Sequence, residues 1–502
     1  MFKKTLGFLV YSLEALLFLF ALIVVLYFTY IYDQNLFVAF TFFSYFVNSL
    51  VAIWIFLQTR TEATKLSWIL ILMLFPIIGN IFFLTFGAKY RNKKEKTLNA
   101  NPTFQLKSYS SLFTKQHVFD AHIQTLESLN KTISLDGKYK IFQRTGDFFN
   151  DLFRALKNAK SHIFIISYII KHGEILRTFI DILKEKAKEG VKIYWLIDDF
   201  GRTTVSKRFF LNNLKKHINF EIVYISKVLY PFVYSQNFYR NHQKFYVIDS
   251  KIVYAGGCNL SDEYVGLSRK YGDWIDLNFK IEGPQINAYI LQFLKMWNIF
   301  DRKNIIKSVP KVFFNTEFTD FEPNANSLLV ADSPIYEASS IEYNLLSLLT
   351  SAKKSVKIVT PYFSPPSSLF NILKLLLEGG VSVEVYFPGL PDKKLVWKTS
   401  LNLLSKLEAV GLKLYLTKDV FIHTKCGVID DKIGWMGSAN IDMRSMYSQY
   451  EIMDIITGEA VSQIIEQIEV YKSKSQLNSL DPISIKANLL TDFFFEALRP
   501  LI

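Results

Sequence analysis

Cysteine is nearly absent from this chain. There are two in 502 residues, Cys258 and Cys426. Two thiols cannot make a disulfide framework, and no Cys/His run has metal-ligand spacing, so both read as reduced core residues. Acidic side chains are also in deficit, 45 Asp+Glu against 58 Lys+Arg, for a net charge of +13. That balance suits an anionic partner, either nucleic acid or an acidic membrane surface. A small-residue cleavage site is missing after the first apolar run, which argues against a cleaved signal peptide. Apolar residues are plentiful. They make up 50% of the chain, with 45 Phe, and the first hundred residues carry much of the excess.

Three apolar stretches open the chain: Leu6–Tyr30, Phe37–Leu57 and Leu66–Phe86. The first two are each long enough to cross a bilayer of about 30 Å. Lys3 and Lys4 precede the first, no positive charge lies in Ile31–Asn35, and Arg60 and Lys65 follow the second. This pattern predicts two transmembrane helices with the N-terminus inside. Lys89, Arg91, Lys93, Lys94 and Lys96 then follow the third stretch, which Pro76 and Gly79 divide. The expectation is a re-entrant or interfacial segment, which leaves the remaining chain cytoplasmic; a third crossing is the alternative. Residues 1–97 form this membrane region.

The rest of the chain is organised around a repeat. Asn241-His242-Gln243-Lys244-Phe-Tyr-Val-Ile-Asp249 is followed by Gly256-Gly257-Cys258-Asn259. His423-Thr424-Lys425-Cys-Gly-Val-Ile-Asp430 is followed by Gly437-Ser438-Ala439-Asn440, with no slip in spacing. Either histidine alone reads as a satisfied core residue. A second copy with all five anchor positions in register marks an internal duplication. His and Lys two residues apart would share one face of a strand, and the apolar run behind them suits a buried strand ending at an Asp turn. Two such sets facing each other would suit a phosphodiester. One imidazole attacks phosphorus, the other donates a proton to the leaving oxygen, and Lys and Asn hold the non-bridging oxygens.

Around each copy the pattern alternates between strand and helix. Residues 98–137 are polar and mixed and read as a linker with one short helix. In 138–311, helix Phe148–Lys160, strand Ser161–Ile170, helix Leu176–Glu189 and strands Val191–Ile197 and Phe220–Ile225 precede the motif. In 312–502, helix Glu342–Ala352, strand Val356–Thr360, helix Leu369–Glu378 and strands Val381–Phe387 and Lys413–Leu416 do the same. This predicts an α/β fold of two tandem sandwich domains with a shared cleft, preceded by N-terminal membrane helices.

The double His-x-Lys-x4-Asp motif resembles the phospholipase D superfamily. Over almost the full length the chain is similar to the bacterial cardiolipin synthases within it. The narrower likeness rests on Leu66-Ser67-Trp68 through Gly87, and on Gly190-Val191 to Asp198-Asp199-Phe200-Gly201. It also rests on Gly256-Gly257-x-Asn259-x-x-Asp262-Glu263-Tyr264, Thr360-Pro361-Tyr362-Phe363, and Gly437-Ser438-Ala439-Asn440-Ile-Asp442-x-Arg444-Ser445. The resemblance implies two copies of one phospholipase D-like α/β fold, with no metal and no cofactor. It implies transfer of a phosphatidyl group from one phosphatidylglycerol to another in the cell membrane, giving cardiolipin and glycerol. His242 and His423 would be nucleophile and acid/base, with His242 the favoured nucleophile. Lys244, Lys425, Asn259 and Asn440 would hold phosphate. Asp249 and Asp430 would complete the motifs by shaping the turn, and Asp276 and Glu451 would orient the histidines. The chain departs from the family where Trp-Arg-Asp-Thr-His is usual, having Trp274-Ile275-Asp276-Leu277-Asn278, and where Gln449 replaces an Asn. A nuclease would use the same double motif, but the membrane segments count against nucleic acid as the substrate. A membrane phospholipase D differs only in its acceptor. A non-catalytic scaffold predicts decay of a motif residue, and none is missing.

Overall fold

The computed structural model describes residues 23–478 except 25, 59, 61, 76–78, 81, 84–86, 88, 114–120, 204–210, 212–213, 215–216, 230–234, 269–271, 304–305, 307–309 and 319–320. The chain divides into two compact units. One is Met1–Arg91 with Lys227–Tyr239, the other Asn92–Ser226 with Arg240–Ile502.

In the first unit, the helix Gln34–Phe56 starts where the Asp33 carboxylate accepts the Leu36 N–H at 2.9 Å. Its 23 residues span about 35 Å, enough to cross a bilayer. Phe42, Phe43, Phe46 and Phe56 project outward, all more than 60% exposed, as lipid-facing side chains would. Two polar side chains of this helix, Ser44 and Asn48, are buried. The buried Asn48 donates from Nδ2 to the Leu72 carbonyl at 2.7 Å and accepts from Asn80 on Oδ1. The helix Glu62–Leu74 stops two residues before Pro76. At 13 residues, or about 20 Å, it is too short to cross alone. Beyond the proline, Phe83 packs edge-on against Trp54 and Trp68, with ring centres 5.7 and 5.3 Å away. The Arg60 Nη2 donates to the Gly87 carbonyl at 2.5 Å, so the end of the third apolar stretch returns to its start. The first stretch, Leu6–Tyr30, lies mostly outside the described residues.

The second unit is built on one sheet of sixteen strands among the described residues; fifteen form its main path, and the sixteenth, the two-residue Arg240–Asn241, pairs beside it. Its first half contributes β1 Leu135–Phe142, β2 His162–Ser167, β3 Lys192–Asp198, β4 Phe220–Ile225, β5 Phe245–Ile248, β6 Ile252–Gly256 and β7 Asn278–Glu282. Its second half contributes β8 Ala325–Asp332, β9 Ser355–Val359, β10 Ser382–Phe387, β11 Lys413–Thr417, β12 Cys426–Ile429, β13 Ile433–Gly437, β14 Gln449–Thr457 and β15 Ser475–Leu477. From the middle outward the first half runs β1-β7-β6-β5-β2-β3-β4, and the second runs β8-β14-β13-β12-β9-β10-β11, closed by β15. The two orders are the same, so the duplication read from the motifs extends to the whole fold.

The halves meet through the antiparallel pair β1–β8, in register at Leu135↔Ser327, Asp136↔Asn326 and Gly137↔Ala325. They therefore share one sheet, rather than placing two separate sheets face to face. Residues 98–137, expected to be a linker with one short helix, hold the helix Ala121–Asn130 and, beyond that expectation, the start of β1. Each half has its own core. One is built around Leu152, Phe179 and Trp195, the other around Leu345, Leu404 and Trp435. Truncating Trp195, which has no exposed surface, would cost about 3–5 kcal/mol. The helix Ile286–Phe300 is buried on nearly every side. Its polar stripe is narrow, with only Lys295 and Asn298 half-buried among the polar residues, so periodicity did not reveal it.

Candidate active site

The two His-x-Lys segments are extended lead-ins to β5 and β12, not strand residues themselves; the ladders begin at Phe245 and Cys426. Each lead-in docks on the other half. Arg240 and Asn241 pair in parallel with Gln449 and Tyr450 at the start of β14. Val420–Ile422 pairs in parallel with Asp273–Ile275. The next residue on each side continues the match, so His242 comes opposite Glu451 and His423 opposite Asp276. Backbone bonds fix this register: the His242 N–H donates to the Tyr450 carbonyl at 2.9 Å, and the His423 N–H to the Ile275 carbonyl at 2.8 Å.

The imidazoles follow their backbones. His242 Nδ1 lies 2.9 Å from Glu451 Oε1, and His423 Nδ1 lies 2.7 Å from Asp276 Oδ2. Each carboxylate comes from the opposite half of the chain and is buried. An Nδ1–H donated to a carboxylate fixes the tautomer and leaves Nε2 with its lone pair. Lys244 and Lys425 curl back to the carbonyl of their own histidine, and Lys425 Nζ also lies 2.7 Å from His423 Nδ1.

Burial dominates the electrostatics. It lowers both imidazoles well below the ordinary histidine value, reinforced by Lys244 and Lys425. It brings Lys244 to about 7 and Lys425 to about 8, despite the nearby carboxylates. It raises Asp276 to about 7 and Glu451 well above its usual range. Burial thus favours the uncharged forms, and a phosphodiester would supply the negative charge that favours the two ammoniums.

The other predicted residues divide into two groups. Asn259 donates from Nδ2 to the Tyr264 hydroxyl at 2.8 Å and accepts the Ile169 N–H at 3.2 Å. Asn440 presents a buried Oδ1 with no partner among the described residues. Asp249 and Asp430 stand at the far end of their motif strands, about 20 Å along the chain from the histidines. Asp249 accepts the N–H groups of Lys160, Ser161 and His162 at 2.7–3.0 Å. Asp430 accepts those of Lys353, Lys354 and Ser355 at 2.7–2.8 Å. They shape the turns and do not touch the imidazoles.

Sequence reasoning missed four supporting groups. Tyr168 and His242 meet in a T-shaped pair with ring centres 5.2 Å apart, and Trp274 stacks at 27° on His423 with ring centres 5.5 Å apart. The Tyr264 hydroxyl lies 3.4 Å from His423 Nδ1. The Ser438 hydroxyl donates to Glu451 Oε2. Tyr264, Trp274 and Ser438 stood in stretches quoted for the family likeness but without a role, and Ser438 also aligns with Gly257 when the motif copies are superimposed; Tyr168 left no signal.

The family described as cardiolipin synthase, PLD-like domain matches residues 152–297 and 345–471. The cardiolipin synthase of Halalkalibacterium halodurans is 31% identical over 412 residues, covering 80% of this chain and 81% of that protein. The chain belongs to the cardiolipin synthase family of the phospholipase D superfamily. Another member, the major cardiolipin synthase of Bacillus subtilis, is 30% identical over 425 residues, 81% of this chain and 87% of its own. The family described as phospholipase D-nuclease N-terminal matches residues 46–87. The fold is shared with phosphatidylserine synthase from Haemophilus influenzae, whose solved structure matches with a TM-score of 0.58 at 16% identity, covering 76% of this chain and 100% of that one. Asn278, which stands in place of the His of the usual Trp-Arg-Asp-Thr-His, accepts the Cys258 N–H at 3.3 Å and so braces the turn before Asn259.

Proposed function

We propose that the protein is a membrane-bound phosphatidyltransferase that makes cardiolipin and glycerol from two molecules of phosphatidylglycerol. The reciprocal dyads His242–Glu451 and His423–Asp276 carry this reading, with one lysine beside each. In the first step the His242 Nε2 lone pair attacks phosphorus. The bond from phosphorus to the glycerol oxygen breaks, and His423, which enters this step as an imidazolium supported by Asp276 and by the charge of the bound phosphodiester, gives that oxygen its Nε2 proton. Glu451 supports the positive charge that develops on His242, while Lys244, Lys425, Asn259 and Asn440 hold the non-bridging oxygens. In the second step His423 takes the proton from a glycerol hydroxyl of the second phosphatidylglycerol. That oxygen attacks phosphorus, the nitrogen–phosphorus bond breaks, and His242 is restored.

An acceptor that is itself a lipid requires the site to work at the bilayer surface. The lipid-facing side chains of Gln34–Phe56 support this. The return of Gly87 to Arg60 favours a third apolar stretch that dips in and comes back, which leaves the catalytic unit cytoplasmic. A cysteine placed at the exposed Lys96 should then react with an impermeant label only from the cytoplasmic side.

The deciding experiment is incubation of the purified protein in detergent–lipid micelles with labelled phosphatidylglycerol as the sole lipid. Cardiolipin with an equal amount of released glycerol is expected. Phosphatidic acid alone would overturn the acceptor assignment in favour of water.

A further inference from the structure

The helix Lys93–Ala100 buries one side chain. Glu95, with 1% of its surface exposed, lies in what the sequence presented as the end of the membrane region. Its Oε1 accepts the Ser333 hydroxyl at 2.5 Å, and its Oε2 accepts the Tyr450 hydroxyl at 2.7 Å. A carboxylate so deeply buried is costly unless its oxygens are satisfied. Here the satisfying groups come from β14 and from the residue after β8. Lys295, on the helix Ile286–Phe300, lies close enough to lower the Glu95 pKa, against the larger raising effect of burial. Asp332 and Tyr336 are the other titratable groups in this pocket.

Tyr450 is the residue through which this contact reaches the chemistry. Its carbonyl accepts the His242 N–H at 2.9 Å, and its neighbour Glu451 holds the His242 ring at 2.9 Å. Its own ring is fully buried, 5.8 Å from Phe300. We infer that Glu95 is a positioning residue of the active site: by fixing the Tyr450 hydroxyl, it sets how β14 presents the Tyr450 carbonyl and the Glu451 carboxylate to His242. The His423 side is built differently. The residue in the equivalent place is Ile275, which has no hydroxyl to anchor. Glu95 therefore acts on one histidine of the pair. This inference rests on the reading of His242 as a reacting group.

The test uses the full-length protein in micelles, as wild type, Glu95→Gln, Tyr450→Phe and the double variant. Carbethoxylation of each histidine by diethyl pyrocarbonate, followed across pH by peptide mass spectrometry, gives the two apparent pKa values without reference to turnover. Loosening the Glu451 contact removes support for the imidazolium, so the His242 value should fall by about half a unit or more in each single variant. It should fall no further in the double variant, and His423 should stay where it was. Turnover should drop about tenfold in kcat at unchanged KM. Equal shifts at both histidines, no shift in either single variant, or additive losses in the double would each overturn the inference. Tyr450→Phe removes one oxygen, so it keeps the test open if Glu95→Gln does not fold. If the wild type yields phosphatidic acid, the acceptor assignment fails, while the histidine titration still decides the role of Glu95.

Discussion

Glu451 Oε1 lies 2.9 Å from Nδ1 of His242, a residue 209 positions earlier. His423 has the mirrored arrangement with Asp276, 147 positions before it. Neither half of the chain can orient its own histidine, so the site is complete only when both repeats have folded and docked.

The crossed dyads make four variants comparable. His242→Ala and His423→Ala should each abolish product while the protein remains folded and membrane-bound. Glu451→Gln and Asp276→Asn keep shape but lose the charge that supports an imidazolium. Each should reduce kcat by roughly 10²–10⁴-fold with little change in KM, because the missing interaction strengthens only as the reaction proceeds. Substantial turnover by either alanine variant would sink the two-histidine mechanism. Steady-state kinetics on labelled phosphatidylglycerol, with thermal melts as the folding control, make the comparison.

The pH profile should be narrow. Lys244 near 7 and Lys425 near 8 lose their protons as pH rises, and with them the charges that attract a phosphodiester. Asp276, raised to about 7 by burial, takes up a proton as pH falls and stops supporting His423. kcat/KM should therefore decline on both sides of about pH 7. A bound phosphate favours the ammonium forms, so the alkaline limb of kcat should lie at higher pH than that of kcat/KM. Equal alkaline limbs in the two profiles, or a kcat/KM flat from about pH 6 to 9, would contradict this electrostatic account.

The sequence exposed these groups unevenly, for physical reasons. The strands before each motif, such as Phe220–Ile225, were legible because they are short apolar runs bounded by breakers. So were the histidines and lysines, because the repeat fixed them twice. Strands β1 and β8 were missed: they form the seam between the halves, and Asp136, Asn326 and Ser327 interrupt their apolar pattern. Glu95 was unreadable. In Lys-Lys-Glu-Lys it looks like a solvated charge, and only the tertiary fold shows it buried under Tyr450. The pairing of each carboxylate with the opposite histidine depends on register across hundreds of residues, which no local pattern encodes.

Asp430 should prove structural. Its backbone sits at φ 51°, a left-handed conformation that Asp, Asn and Gly tolerate better than other residues. Against the raising effect of burial, the N–H groups of Ser355, Lys353 and Lys354 hold its carboxyl below the ordinary value. A depressed carboxylate contributes stability that is present above its unfolded pKa of about 3.9 and lost as pH falls through the folded one. Melting temperatures at neutral pH should rank wild type, then Asp430→Asn, then Asp430→Gly, then Asp430→Ala. Asn keeps an acceptor, Gly relieves the backbone, and Ala does neither. The gap between wild type and Asp430→Ala should shrink near pH 3. A gap that held constant with pH would mean that the charge contributes nothing.

Gly257 and Ser438 occupy the same place in the two motif copies and solve opposite problems. A Cβ at Gly257 would stand 2.3 Å from Asp276 Oδ1, so only glycine lets that carboxylate pack against the turn and reach His423. In the second copy the longer Glu451 leaves room for Ser438, whose hydroxyl donates to its Oε2 and accepts the Ile452 N–H at 3.0 Å. Gly257→Ala should therefore push Asp276 off His423 and lower kcat by about the same factor as Asp276→Asn. Ser438→Ala leaves the Glu451 carboxylate in place with one donor fewer, and should cost only about tenfold. Combining Gly257→Ala with Asp276→Asn separates the two explanations of any loss. If the alanine acts by displacing the carboxylate, the double variant should be no slower than Asp276→Asn alone. If the losses multiply, Gly257 serves something other than Asp276, and the close approach seen here is not its reason for being glycine.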